Sequence, residues 1–578
     1  MNLTVAPDAI SAAATDLTGI RSSIDTAATA AASRTSGLLP AAADEISAAS
    51  AAAFNSYARE YQALLNQAAS FHSELTQLLA GSGLAYAETE IANAAATASG
   101  ALNSIKSAVQ GASAANPAAG VTTLIMGASG YPIPWENPLY IPTATANYIE
   151  AIWGPAGNVV AFFTPEGLYP LTGVQDLTFD VSAQRGLTML NNQIQAAITS
   201  GATKINVFGY SQSAAIASME MKALNPTNTP SGSLLPSGVN LNFTLVGNVS
   251  NPNGGLLARF PGLSMPSLGL TFGTATPANS FPTHIYTIEY DGFADFPQYP
   301  INVVSDLNAF LGIIELHGNY GNYVPSQGIQ LTNTVGPTQT EYYIYPTQNL
   351  PLLAPLRALP LIGAPLADLI QPDLRVIVDL GYGSTTQGWS PDPPNVQTPF
   401  GVLPPVSLGE IAGALGAGTQ QGVAAFTHDI NTMLSTPPTV SLPTPPTTLA
   451  SVQTGGGLTS TLTSTVSSPQ GFINTVQAAN TYVVNGITGT ASAAYGALLP
   501  TADIVNALVI SVPSYDTNLF LSGLEMMADG DPLGGLVYAI GAPLAAETGM
   551  GTLAAGFEVR VIQHAATSIV SAWTPTSS

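Results

Sequence analysis

At 578 residues the chain is too long for one hydrophobic core, so about two to four domains are expected and a substantial α/β unit is readily buried. Charged residues make up only 8% of it, with 11 Lys and Arg against 34 Asp and Glu for a net charge of -23, which excludes nucleic acid as a partner because too few cations exist to neutralise phosphates. Cysteine is absent and five scattered histidines show no metal-ligand spacing, so disulfides, thiolate chemistry, a metal site and a cofactor are not expected, and a serine nucleophile survives the elimination.

The first residues, MNLTVAPDAI, contain no basic stretch followed by an apolar one, and no uninterrupted apolar run reaches the roughly 18 residues of a spanning helix. Neither a cleaved signal peptide nor a transmembrane helix is therefore expected. From Pro7, the positions Ile10, Ala13, Leu17, Ile20, Ile24 and Ala27 recur in steps of three and four. A second stripe runs through Tyr57, Tyr61, Leu64, Ala68, Phe71, Leu75 and Leu78. Together they predict an α-helical hairpin within residues 1–91. Two Ala-rich helices bury little by themselves, so the hairpin is expected to complete a bundle with another chain, the alternative being packing on its own C-terminal domain. Small and polar residues with Gly100, Gly111 and Pro117 make 92–119 a linker.

Short apolar runs then alternate with helical stretches. VTTLIM, NVVAFF, KINVF, NFTLV and HIYTIEY read as strands, and Ser182 to Ile198, Gln212 to Ala223 and Ile301 to Leu311 as helices. The alternation predicts an α/β hydrolase-type fold over residues 120–385, a mostly parallel sheet flanked by helices and preceded by the N-terminal α-helical hairpin. Pro- and Thr-rich stretches make 386–468 a linker or surface wrap, and 469–578 regains helical character without a readable function.

KINVF, GYSQS and AAIASMEM form in succession the strand, sharp turn and helix of a nucleophile elbow, with Ser211 at its apex. The amide of Gln212 at the helix start is one candidate oxyanion donor, and Ser129 in the loop Gly127-Ala128-Ser129-Gly130 after the first strand is the other. Serine needs a base held in the right tautomer by an acid, and α/β hydrolases carry the three in the order Ser, acid, His. His317 is the one histidine after Ser211 that follows an acid-bearing loop within the α/β region. That loop, DGFADFP, contributes Asp291 and Asp295. Asp295, a few residues past the strand and before Phe-Pro, fits better; Asp291, at the strand end where it could cap a turn with Gly292, is the alternative acid.

The N-terminal hairpin resembles the PE family of mycobacterial proteins, with Pro7-Asp8 where that family has Pro-Glu. Tyr86 and Glu90 in YAETE are similar to the signal such proteins present to type VII secretion. Residues 120–385 resemble the PE-PPE domain, a serine hydrolase domain related to cutinases, through LIMGASGYPIP, GYSQS, NPNGGLLARFPG, YDGFADFPQYP and His317-Gly318-Asn319-Tyr320. The resemblance implies an exported or cell-surface esterase or lipase, with a lipid or acyl-ester substrate, an acyl-serine intermediate, a PPE-type partner for the hairpin and passage through the type VII machinery. An acyltransferase using the same acyl-enzyme, or a surface interaction protein that no longer uses the fold for catalysis, are the alternatives. The apolar stretch PLLAPLRALPLIGAP, beginning at Pro351, is expected either to line an acyl pocket or to pack in the core.

Overall fold

The computed structural model describes residues 120–174, 176–435 and 469–574. The N-terminal hairpin, its linker, Tyr86 and Glu90 lie outside the described residues. The strands are β1 (Val121–Ile125), β2 (Asn158–Ala161), β3 (Lys204–Tyr210), β4 (Asn240–Val246), β5 (Ser264–Met265), β6 (Leu270–Thr271), β7 (Thr283–Ile288), β8 (Ile329–Leu331) and β9 (Thr340–Tyr345). Seven of them form one sheet in the order β2-β1-β3-β4-β7-β9-β8, parallel except for β8, which runs antiparallel to β9 at the edge. β5 and β6 pair separately. The five expected strands are all present; β8 and β9 add to them.

The central strands are buried on both faces because helices cover both. Val207, Phe243, Leu245 and Ile285 are fully or almost fully buried in the main core. That core also takes in α1 (Phe179–Thr199), α2 (Gln212–Leu224) and α3 (Val303–Glu315). The opposite face is filled by aromatics, among them Tyr148, Phe208, Tyr286, Tyr320 and Tyr345. The fold is a mostly parallel sheet between helices, consistent with an α/β hydrolase.

Three further segments lie outside the sheet. PLLAPLRALPLIGAP leads into α4 (Gly363–Leu380) and packs Leu353 with Tyr290 and Tyr382 in a separate small core, while Leu359, Leu361 and Ile362 are exposed. The stretch read as linker begins as an irregular wrap that lays Phe400 on Phe260, their rings stacked at 5.1 Å, and then forms a 28-residue helix, α5 (Leu408–Ser435). Residues from Pro469 form three long helices, α6 (Pro469–Asn506), α7 (Val512–Ala528) and α8 (Pro532–Ala572), with a π-helical segment, Ala507–Ser511, between the first two.

These helices are continuous with the hydrolase core: Ala507, Val512, Tyr515, Leu519, Met550 and Leu553 belong to the same buried cluster as the sheet. Among the described residues one helical stretch, Thr481–Ala528, is long and apolar enough to cross a membrane, with a mean hydropathy of 1.5 over 18 residues. Small and polar residues interrupt this run without lowering its average below that test. Val512, Tyr515 and Leu519 nevertheless anchor this stretch in the core as a layer of the fold.

Candidate active site

β3 ends at Tyr210 and α2 begins at Gln212, which leaves one residue to reverse the chain. That residue, Ser211, adopts φ 59° and ψ -118°, in the left-handed region that a residue with a Cβ occupies only under strain of about 1–3 kcal/mol. The surroundings enforce it. Ser211 N donates to Val246 O of the neighbouring strand at 3.0 Å. Gly209 is needed because a Cβ there would stand 2.8 Å from Ser213 O. Ser213 Oγ accepts from Tyr210 N at 2.8 Å and donates to Gly127 O at 2.6 Å, joining the elbow to the loop after β1. The hydroxyl at this position is thus a structural strut as well as a small group.

The structure brings Ser211 and His317 together. His317 Nε2 lies 2.8 Å from Ser211 Oγ, and its Nδ1 lies 2.8 and 2.9 Å from the two carboxylate oxygens of Asp291. Asp291 is wholly buried and also accepts from Tyr320 Oη at 2.7 Å and Phe293 N at 3.1 Å. Tyr320 Oη in turn accepts from Ile288 N at 3.0 Å. A serine hydroxyl, an imidazole and a buried carboxylate in one line permit proton transfer from Oγ to Nε2, with the carboxylate holding the Nδ1–H tautomer.

The structure sets Asp291, the alternative acid, rather than Asp295 against His317. Tyr290, just past the end of β7, has φ 68°, and the reversal it creates turns Asp291 towards His317. Asp295 N then donates to Asp291 O, closing a turn that carries the Asp295 side chain beneath the loop. There its Oδ2 accepts from Tyr290 N at 3.0 Å. Burial pushes the Asp295 carboxyl well above the usual range, against the opposing pull of that amide and of the Arg259 cation. Arg259 is itself fully buried, donating to Phe296 O and Thr398 O.

Ser129 and Gln212, the candidate oxyanion donors, both border the cavity that opens on Ser211. Gln212 opens a helix, where backbone N–H groups have no partner within the helix. One loop, at Glu166 and Gly167, ties to both segments. Gly130 N donates to Glu166 O at 3.1 Å, and the Gln212 side-chain amide donates to Gly167 O at 2.9 Å. Glu166 is fully buried, with φ 50°, and accepts from the Thr164 hydroxyl at 2.6 Å. Burial pushes its carboxyl up to about 8.

Tyr320, Glu166 and Phe293 were not singled out from sequence. Phe293 sets its ring edge-on to His317, with centroids 4.8 Å apart. Tyr320 lies within the His317-Gly318-Asn319-Tyr320 segment, three residues from the base, so its hydroxyl was a legible candidate. Glu166 carried no signal: an acid in a loop reads as exposed. PLLAPLRALPLIGAP lies away from the cavity, whose walls come from other segments.

Sheet and elbow are those of a protein whose architecture is consistent with the α/β hydrolase fold. Its sequence relationships narrow the class. The PE-PPE domain family matches residues 155–383 and the PE family residues 3–93. The PPE family protein PPE28 of Mycobacterium tuberculosis is 44% identical over 90% of this chain and 76% of its own length. PE3 of the same organism is 44% identical over 73% of this chain and 86% of its own, and the protein named Esterase PE16 is 41% identical over 67% and 70%. No solved structure matches the chain. The chain belongs to the mycobacterial PE/PPE family, as a PE protein carrying a PE-PPE domain.

Proposed function

We propose that the protein is an exported serine esterase that hydrolyses acyl esters through an acyl-serine intermediate. The observation that carries this reading is the hydrogen-bonded line from Ser211 through His317 to Asp291. The relative named Esterase PE16 supports the same reaction class. His317 Nε2 takes the proton of Ser211 Oγ as that oxygen bonds to the ester carbonyl carbon. The carbonyl oxygen becomes an oxyanion held by the Gln212 and Ser129 amides. Collapse breaks the bond to the leaving alkoxide, which departs with the proton from His317. Water then repeats the sequence: it gives its proton to His317, attacks the acyl carbon and releases the acid, while the proton returns to Ser211 Oγ.

Turnover of a short-chain aryl ester by the wild type and by Ser211→Ala tests the proposal. A loss of about 10³-fold or more in the variant is expected, and equal rates would refute it. Export rests on PE-family membership together with Tyr86 and Glu90. Replacing both is expected to lower the secreted fraction; unchanged secretion removes them from the signal. The N-terminal hairpin is proposed to pair with a PPE-type chain, which co-expression and co-purification with such a chain would reveal.

A further inference from the structure

The cavity above Ser211 is not closed by the PE-PPE domain match alone. Its volume is about 120 Å³ and its lining is almost wholly apolar. One wall comes from the hydrolase unit, including Leu168, Leu256, Met265 and Phe293. The facing wall comes from more than 100 residues beyond the end of that match: Ile504 and Leu508, and from α8 Met550, Leu553, Ala554 and Phe557. The last four are spaced i, i+3, i+4 and i+7, so one stripe of α8 faces the cavity.

This wall is fastened at its rim. Tyr169 Oη donates to Asp503 Oδ2 at 2.6 Å, and Ser267 Oγ donates to Asp503 O at 2.8 Å. Thr501 Oγ1 donates to Glu558 Oε1 at 2.6 Å, tying α6 to α8. Phe557 also stacks on Phe293 at 6.4 Å, and Phe293 meets the ring of His317. The helical wall therefore reaches the base through one intervening ring.

We propose that residues 501–558 form the roof of the acyl-binding site and set the chain length of the ester accepted. The inference deepens the esterase reading and rests on it. A polar alcohol or sugar gains nothing from such a lining, whereas a hydrocarbon chain extending from the carbonyl at Ser211 leaves water along its whole length. A dry cavity of about 150 Å³ accommodates benzene, so the room here matches an acyl chain of roughly five or six carbons.

The test is a chain-length profile, kcat/KM for p-nitrophenyl esters from acetate to laurate, with Leu553→Ala and Ala554→Leu. Leu553→Ala enlarges the cavity and is expected to raise the laurate-to-butyrate ratio at least fivefold. Ala554→Leu fills it and is expected to lower the hexanoate-to-acetate ratio at least fivefold. Profiles parallel to wild type in both variants would overturn the proposal. Calorimetric titration of hexanoate into Ser211→Ala, with and without Ala554→Leu, reads the roof without turnover. Binding that Ala554→Leu abolishes supports the roof even if the wild type proves inactive on every ester, a result that would sink the esterase reading alone. Absent or unaltered hexanoate binding would overturn the roof while leaving any Ser211-dependent turnover in place.

Discussion

Asp291→Asn should be far more damaging to turnover than Asp295→Asn, although the two acids are four residues apart in one loop. The Asp291 carboxylate faces three donors: His317 Nδ1, Tyr320 Oη and Phe293 N. An amide matches them poorly, because its NH₂ must face at least one donor. If it faces His317, Nδ1 must become an acceptor and the imidazole proton moves to Nε2. Nε2 can then no longer take the Ser211 proton. In trypsin the equivalent change of tautomer costs about 10⁴ in kcat, and a loss of about 10³–10⁴ is expected here, or about 4–5.5 kcal/mol in the barrier. At position 295, by contrast, an amide oxygen still accepts from Tyr290 N, so kcat should stay within about tenfold of wild type while stability falls by about 1–3 kcal/mol beside Arg259. Single-turnover kinetics on an aryl ester at saturating enzyme, together with urea unfolding, separates the two effects. A larger loss of turnover at Asp295→Asn than at Asp291→Asn would refute the reasoning.

Tyr320→Phe removes one donor to Asp291 and leaves Ile288 N without its buried acceptor. A fall of about 10–100-fold in kcat with KM little changed is expected, the split that marks a residue positioning the base. Ser213→Ala unpairs Tyr210 N and Gly127 O together and should cost about 1–3 kcal/mol, read as a lower urea midpoint at unchanged m; an unaltered midpoint would remove the strut from the account. Glu166 holds its proton up to about pH 8 when folded, whereas the unfolded chain releases it near 4.5. Its contribution is therefore fully present below about pH 4.5, is lost as pH rises towards 8 at up to about 1.4 kcal/mol per unit, and is constant above. Glu166→Gln should flatten stability over that window, and identical pH dependence in both proteins would contradict the assignment.

The alternation of apolar runs and amphipathic helices made the parallel sheet legible, since strands buried on both faces and their covering helices each leave a local periodic mark. Ser211 was legible for the same reason: strand, turn and helix are contiguous around it. The acid was harder, because the choice between Asp291 and Asp295 turns on one backbone angle at Tyr290, and no residue type in DGFADFP announces that a tyrosine will take a positive φ. β8 and β9 escaped notice because IQL is too short to show a period and EYYIY follows a polar loop. The roof over the cavity was invisible for a different reason. Met550 and Phe557 are ordinary apolar residues of a long helix, and only a tertiary contact more than 300 residues away in sequence brings them over Ser211.

The claim that Ser211 carries the acyl group is tested most directly by quenching a reaction with p-nitrophenyl butyrate in acid within its first turnover and mapping the peptides by mass. The account predicts a butyryl adduct on the peptide containing Gly209-Tyr210-Ser211-Gln212-Ser213, at Ser211, accumulating with the burst of nitrophenol and absent from Ser211→Ala. A burst of nitrophenol with the acyl group on another residue, or persisting in Ser211→Ala, would contradict it.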